Sequence, residues 1–427
     1  MRRWFGIFAW LMALALGAPG ASASLIDPGT WSSPLPASWT SPIFHPSQWP
    51  FSLFPVPEIA TDPNSGTTFG VLPVFLFTDD HNEIKEIFAP DIAINTILGA
   101  SGNFRYLAYP SSDTQYYAMA GGSQNIARRV DLFYTTGRDR KQWWSFEGRF
   151  FFEEDPTERF YGLGNKSAQG NETNYTTEQV YFRATLGINF SQKLQLAITE
   201  QPWFVRIHTG ALDNLPSIQN QYPLLKGIHG GSEMVTQFVA SYDTRDSIDI
   251  PRNGGFYRLF YGVADRAFLS SYSYNQAGFE LRQYYPLTSR LTLAGRIYSE
   301  YTPAGGETPF WAMARLGGEE SVMFGQQTLR GYGAGRYVQN NLTDFNLEVR
   351  TRVWETTIMG THGILELAPF LDAGKVFANA NQNPLAPLHS VGGLGFRGIA
   401  EPFVVGYVDV GWGGEGPAFF SGINYPF

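Results

Sequence analysis

The chain has 427 residues, 16% aromatic and 16% charged, with no cysteine and a formal net charge of −8. The lack of cysteine excludes disulfides, thiolate metal sites and cysteine nucleophiles, and the acidic balance argues against a nucleic-acid partner. That many rings and so few charges is unusual for a soluble enzyme; the length fits two or three soluble domains or one large barrel.

Residues 1–23 have the form of a signal peptide. Arg2 and Arg3 precede an apolar run over 4–16, too short to span a bilayer as a helix, and Ala21-Ser22-Ala23 is an A-x-A cleavage site. Cleavage would start the mature chain at Ser24 and, by removing two Arg, take the net charge from −8 to −10. No later apolar run approaches the ~18 residues of a transmembrane helix. Residues 24–59 are a Pro/Trp-rich extended segment. Its prolines, from Pro28 to Pro57, exclude helix and central strand. Trp31, Trp39 and Trp49 are expected to pack on something larger, and the segment is too short for a periplasmic α/β domain.

Residues 60–427 alternate. In 345–353, Phe345, Leu347, Val349 and Val353 share one face, while Asn346, Glu348, Arg350 and Arg352 share the other. The next segment sets Leu365, Leu367 and Leu371 against Glu366 and Asp372. Period two is strand with its faces in different solvents. A soluble sandwich or a membrane barrel produces this pattern. Segments near ten residues, aromatic pairs at their ends and polar loops of uneven length favour the outer-membrane barrel. We expect an all-β, closed antiparallel transmembrane β-barrel of sixteen strands, with 103–109 and 115–121 forming one interrupted strand. Closure follows because an open sheet edge is excluded in lipid. At the C-terminus, Phe419, Ile423, Tyr425 and Phe427 read as one face of the last strand, with the Phe427 ring at the bilayer interface.

The long loop over 304–340 holds Leu329-Arg330-Gly331-Tyr332, one fixed charge and one ring among several glycines. An Arg keeps its proton and carries a rigid fork of donors. The two strand segments that follow put Glu348 and Asp372 on their polar faces. We expect this loop to fold into the lumen, with Arg330 paired to Asp372 and Glu348 as a second acceptor.

From Asp62 to Phe427 the chain resembles the BamA-like superfamily, or bacterial surface antigen family. Leu329-Arg330-Gly331-Tyr332, Phe370-Leu371-Asp372-Ala373-Gly374, Asp243-Thr244-Arg245-Asp246 and Phe160-Tyr161-Gly162-Leu163-Gly164-Asn165 carry the likeness. The resemblance implies the same Arg330–Asp372 pairing and a weak seam between the first and last strands. It also implies an assembly signal at the terminal Phe427, with Tyr425 on the same face. It implies a role in inserting or translocating a client protein or lipid. The POTRA domains that precede the barrel in inserting and exporting members are not expected here, so their docking role would be absent or supplied by a separate periplasmic partner.

No enzyme chemistry is legible. None of the six His has a second ligand at a zinc-helix spacing, and no G-x-S-x-G elbow or phosphate loop occurs. No cofactor and no metal are expected. Glu153, Glu154 and Asp155 mark a solvated rim, where a divalent cation between lipopolysaccharide phosphates could sit. The expected setting is the bacterial outer membrane, with its lipid bilayer and lipopolysaccharide as partners. The alternative function is a passive pore or structural surface barrel with a plugged lumen.

Overall fold

The structure, a computed structural model, describes residues 51–80, 83–303, 306–318, 326–358, 361–401 and 404–427. The signal peptide and the tryptophans of the Pro/Trp segment lie outside these residues. Strands follow one another with scarcely any helix, because apolar and polar residues alternate through the chain. They begin with β1 (Ser52–Asp62), β2 (Gly66–Thr78), β3 (Ile84–Phe88), β4 (Asp91–Asn95), β5 (Gly99–Ala108), β6 (Gln115–Ser123) and β7 (Arg128–Thr136). Next come β8 (Trp144–Phe160), β9 (Thr173–Asn189), β10 (Leu194–Thr209), β11 (Gly230–Asp243), β12 (Gly254–Ala264), β13 (Tyr274–Pro286) and β14 (Leu291–Tyr301). Three short strands, β15 (Ala314–Leu316), β16 (Gln326–Gln327) and β17 (Tyr337–Gln339), form a separate small sheet. The main sheet resumes with β18 (Asn341–Ile358), β19 (Thr361–Phe377), β20 (His389–Ala400), β21 (Val404–Gly413) and β22 (Gly416–Ile423).

The main sheet has nineteen strands among the described residues; chain neighbours pair antiparallel, except that β3 and β4 each pair with β2 and β5 and not with each other, and β14 pairs with β18 across the small sheet. Two readings change. Residues 103–109 and 115–121 are not one interrupted strand: they lie in β5 and β6, which pair along their length. The interruption falls earlier, where β3 and β4 lie end to end between β2 and β5. The second change is at the start of the sheet. Residues 52–59, expected in the extended segment, belong to β1, which runs beside β2 from Ser52↔Leu76 to Asp62↔Gly66. Its prolines fit because, among the described residues, β1 meets a second neighbour, β22, at one register pair only, Thr61↔Phe419. A residue without an N–H is tolerated where no partner asks for one. These two changes carry the count past sixteen.

The faces of the strands follow the expected parity. Leu347 and Leu371 are exposed, whereas Glu348, Arg350 and Asp372 are buried. Leu281 and Tyr285 are likewise exposed, against buried Glu280 and Tyr284. The buried side, called inner here, is covered by residues 306–318 and 326–340. Strands β8, β9, β10, β18 and β19 run for 16 to 18 residues, longer than the ten or so that a tilted strand needs to cross a bilayer. Their extra length walls in that covering segment.

Candidate functional site

Two apolar clusters seat the covering segment on the sheet. Phe310, Trp311 and Met313 pack with Phe151, Tyr181, Trp203 and Val205 of β8–β10. Leu316, Leu329, Tyr332 and Tyr337 pack with Phe260, Tyr298, Phe370 and Val391. Burying one such side chain contributes about 1.5–3 kcal/mol, enough collectively to hold the chain down before any charge is counted.

Arg330 is then delivered to the sheet with no exposed surface. Its Nε and Nη2 donate to the two oxygens of Asp372, each at 2.9 Å, and its backbone N–H donates to the same carboxylate at 3.1 Å. Nη1 donates to Glu348 at 2.6 Å and to Asp409 at 2.7 Å. The guanidinium carbon lies 3.7 Å from the centre of the Phe370 ring, a cation–π contact in a desolvated place. Asn346 donates to Asp372 at 3.1 Å and so fills its remaining acceptor site.

The expected trio of Arg330, Asp372 and Glu348 is therefore brought together, and the network is larger than expected. Arg397 of β20 donates to Asp409 and to Glu348, the latter at 3.0 Å. Arg350 donates to Glu348 at 2.8 Å. Three guanidiniums face three carboxylates, and all six side chains are almost fully buried. A group of this kind survives burial because its charges are matched and most of its donors are used; Arg350 Nη1 and Arg397 Nε alone among these guanidinium nitrogens find no acceptor among the described residues. Asp409 was missed, although a signal existed. Tyr407-Val408-Asp409-Val410-Gly411 repeats the aromatic-x-Asp-x-Gly spacing of Phe370-Leu371-Asp372-Ala373-Gly374.

Glycines set how close the loop can come. A Cβ on Gly411 would lie 1.7 Å from the Arg330 backbone oxygen, and one on Gly331 would lie 2.6 Å from the Gly413 nitrogen. Loop backbone thus rests directly on strand backbone. Tyr332 is buried, accepts from the Gly414 N–H at 2.9 Å and meets Tyr337 edge-on.

The motif at 160–165 closes over the outer part of this segment. The Gly164 N–H donates to the Val338 carbonyl at 2.9 Å, and Tyr161 lies under Arg336. Asn165 accepts from the Val376 N–H and from His389. The motif at 243–246 has a local task at the opposite end of the strands. Asp243 grips Arg245 at 2.6 Å, and Asp246 accepts three backbone N–H groups of the turn that leads to Gly254. Glu153, Glu154 and Asp155, expected on a solvated rim, lie instead within β8 and are partly covered. The reason is cross-strand pairing: Glu153 accepts from Gln179 at 2.9 Å.

Tyr425 and Phe427 depart from expectation. The last strand stops at Ile423, and Asn424 takes a positive φ of 77°, a conformation that Asn tolerates better than most residues. Phe419 and Ile423 remain on the exposed face, while the chain after Asn424 turns onto the inner one. Phe427 is buried with Tyr284 and Ala294, not placed at a bilayer interface. Tyr425 donates to Glu366 at 2.7 Å and lies under Arg350, whose Nη2 reaches the Phe427 backbone oxygen at 3.3 Å. Through Arg350 the tail touches the same network that holds Arg330.

Comparison with known proteins bears on this arrangement. Residues 114–397 match the Omp85 superfamily domain. No curated protein matches. Among solved structures, BamA from Haemophilus ducreyi lacking POTRA domains 1–3 is 13% identical, with a TM-score of 0.50 over 87% of this chain and 74% of that one. CdiB from Escherichia coli is 12% identical, with a TM-score of 0.44 over 88% of this chain and 67% of that one. With a family match over well over half of its length, the chain belongs to the Omp85 superfamily and is an outer-membrane β-barrel protein.

Proposed function

We propose that the sheet closes into a barrel whose lumen is occluded by residues 306–318 and 326–340, and that the protein helps insert or translocate a client protein or lipid at the outer membrane. The observation that carries this reading is the contrast at the seam. Strand β1 pairs with β2 at every position from Ser52 to Asp62, and β22 pairs with β21 from Gly416 to Ile423, yet β1 and β22 share the single pair Thr61↔Phe419 among the described residues. Backbone groups left unpaired toward lipid each cost several kcal/mol on the order of a lost buried hydrogen bond. A seam so thinly paired is where an incoming strand gains most by adding itself. In this reading Arg330 and its three carboxylates lock the lumen loop, so that traffic passes by the seam. Tyr425 and Phe427 serve assembly, and a separate periplasmic chain delivers the client. No catalytic step is involved.

The native chain has no cysteine, so Thr61→Cys with Phe419→Cys tests the seam cleanly. Oxidation should stop client insertion in vesicles, and reduction should restore it. Undiminished insertion by the oxidised protein would overturn the reading. The complete burial of the Arg330 network favours a second reading, a plugged structural barrel or pore. Solute-size-limited swelling of liposomes that carry the protein would select the pore form of that reading.

A further inference from the structure

A polar cavity of about 650 Å³ lies on the inner side of the sheet; it borders the Arg330 network at Tyr407 and Tyr425, which pack against Arg397 and Arg350, but its own arginines are not members of that network. It is walled by strands from β6 to β12, by the turns at 137–143 and 244–253, and by the tail residues Asn424, Tyr425 and Pro426. Those turns and the tail all lie at the end of the strands that carries the short connections, opposite the long loops. Six arginines line it: Arg138, Arg140, Arg149, Arg183, Arg245 and Arg258. Only two carboxylates do, Glu147 and Asp243.

Most of these cations have a partner set into the wall. Arg138 meets Asp249 at 2.7 Å, Arg149 meets Asp131 at 2.6 Å and Arg183 meets Glu147 at 3.2 Å. The acids are shared, however. Asp131 also serves Arg129, and Glu280 serves Arg282 and Arg296 besides Arg258. Arg140 has no carboxylate partner among the described residues. It donates to the Lys193 backbone oxygen at 2.9 Å, to the Ser241 hydroxyl at 2.9 Å and to the Gln195 amide oxygen at 3.5 Å. Burial lowers its pKa from the ordinary value against the opposing pull of Asp243, as for a cation short of compensating charge. The wall also has donors to spare: Arg138 Nη1, Gln115 Nε2 and Arg258 Nε find no acceptor among the described residues.

We propose that this cavity binds a phosphoryl-bearing anion, with Arg140 supplying the uncompensated charge and Arg138 a second fork. The volume is that of a ligand site and exceeds what a simple ion needs. A phosphoryl group presents three oxygens and can accept from several guanidiniums at once, which a carboxylate with two oxygens does less well. The same chemistry could come from a lipid headgroup or from free phosphate. The proposal stands on the cavity and does not depend on an insertion role.

The test is calorimetric titration of the folded protein in a non-ionic detergent with two probes, inorganic phosphate and a short-chain phosphatidylglycerol. One saturable site is expected, weakened at least tenfold in Arg140→Gln and in Arg138→Gln, both checked for native strand content by circular dichroism. Tighter binding of the lipid than of phosphate identifies a headgroup site, and equal binding identifies a site for the phosphoryl group alone. Absence of saturable binding for both probes, or binding that neither substitution changes, overturns the proposal. If one variant does not fold, the other decides.

Discussion

Removing Arg330 should destabilise the protein through charge as much as through lost contacts. In the native network Arg330, Arg350 and Arg397 face Glu348, Asp372 and Asp409. Arg330→Ala leaves three buried carboxylates against two guanidiniums, and Asp372→Ala leaves three guanidiniums against two carboxylates. Breaking one partner out of a buried pair costs about 3–5 kcal/mol, and we expect each single variant to fall in that range. The double variant restores two against two. Its loss should therefore lie near that of either single variant, so the coupling energy should be as large as one single loss, about 3–5 kcal/mol. Arg330→Lys keeps the charge but cannot hold both oxygens of Asp372 while reaching Glu348 and Asp409, so it should fall between wild type and Arg330→Ala. Urea unfolding in lipid vesicles measures stability, and protease cleavage within 306–340 reports whether the loop has left its seat. Additivity to within about 0.5 kcal/mol, with the loop equally protected in all variants, would refute the reasoning.

Gly411→Ala should dislodge the loop without touching a charge, because its Cβ would fall 1.7 Å from the Arg330 backbone oxygen; faster cleavage within 306–340 is the expected readout, and an unchanged rate would contradict it. Phe427→Ala removes a ring buried against Tyr284 and Ala294 and should cost about 3–5 kcal/mol, seen as an earlier urea midpoint in vesicles; an unchanged midpoint would return the ring to the surface. Leu371→Arg, at an exposed position, should cost about 2–4 kcal/mol in a bilayer. Single cysteines at Leu347 and Leu371 should be reached by a bilayer-soluble label, whereas those at Glu348 and Asp372 should not; the reverse pattern would invert the faces.

Much of this protein was determined by the sequence itself. Alternation with period two decided which face of each strand is apolar, and a one-residue slip would have inverted every side chain. That parity put Glu348, Arg350 and Asp372 on one side, and a long glycine-rich loop just before them made Arg330 their natural partner. Local pattern could not say which strands meet across the sheet. The single pair between β1 and β22 depends on residues more than 350 positions apart, at Thr61 and Phe419. Asp409 joined the network only because β21 lies beside β20, where Arg397 shares its carboxylate. The tail was misread for a related reason. Phe419, Ile423, Tyr425 and Phe427 share one parity, so period two continued the strand to the end. What turns Tyr425 and Phe427 inward is the positive φ at Asn424 together with the inner-face partners Glu366, Arg350 and Tyr284. Those partners exist only once the sheet has brought β13, β18 and β19 alongside the chain's last residues. A side chain's periodicity is local, but the free energy of burying it depends on what stands opposite, and that is decided by pairing across the whole sheet.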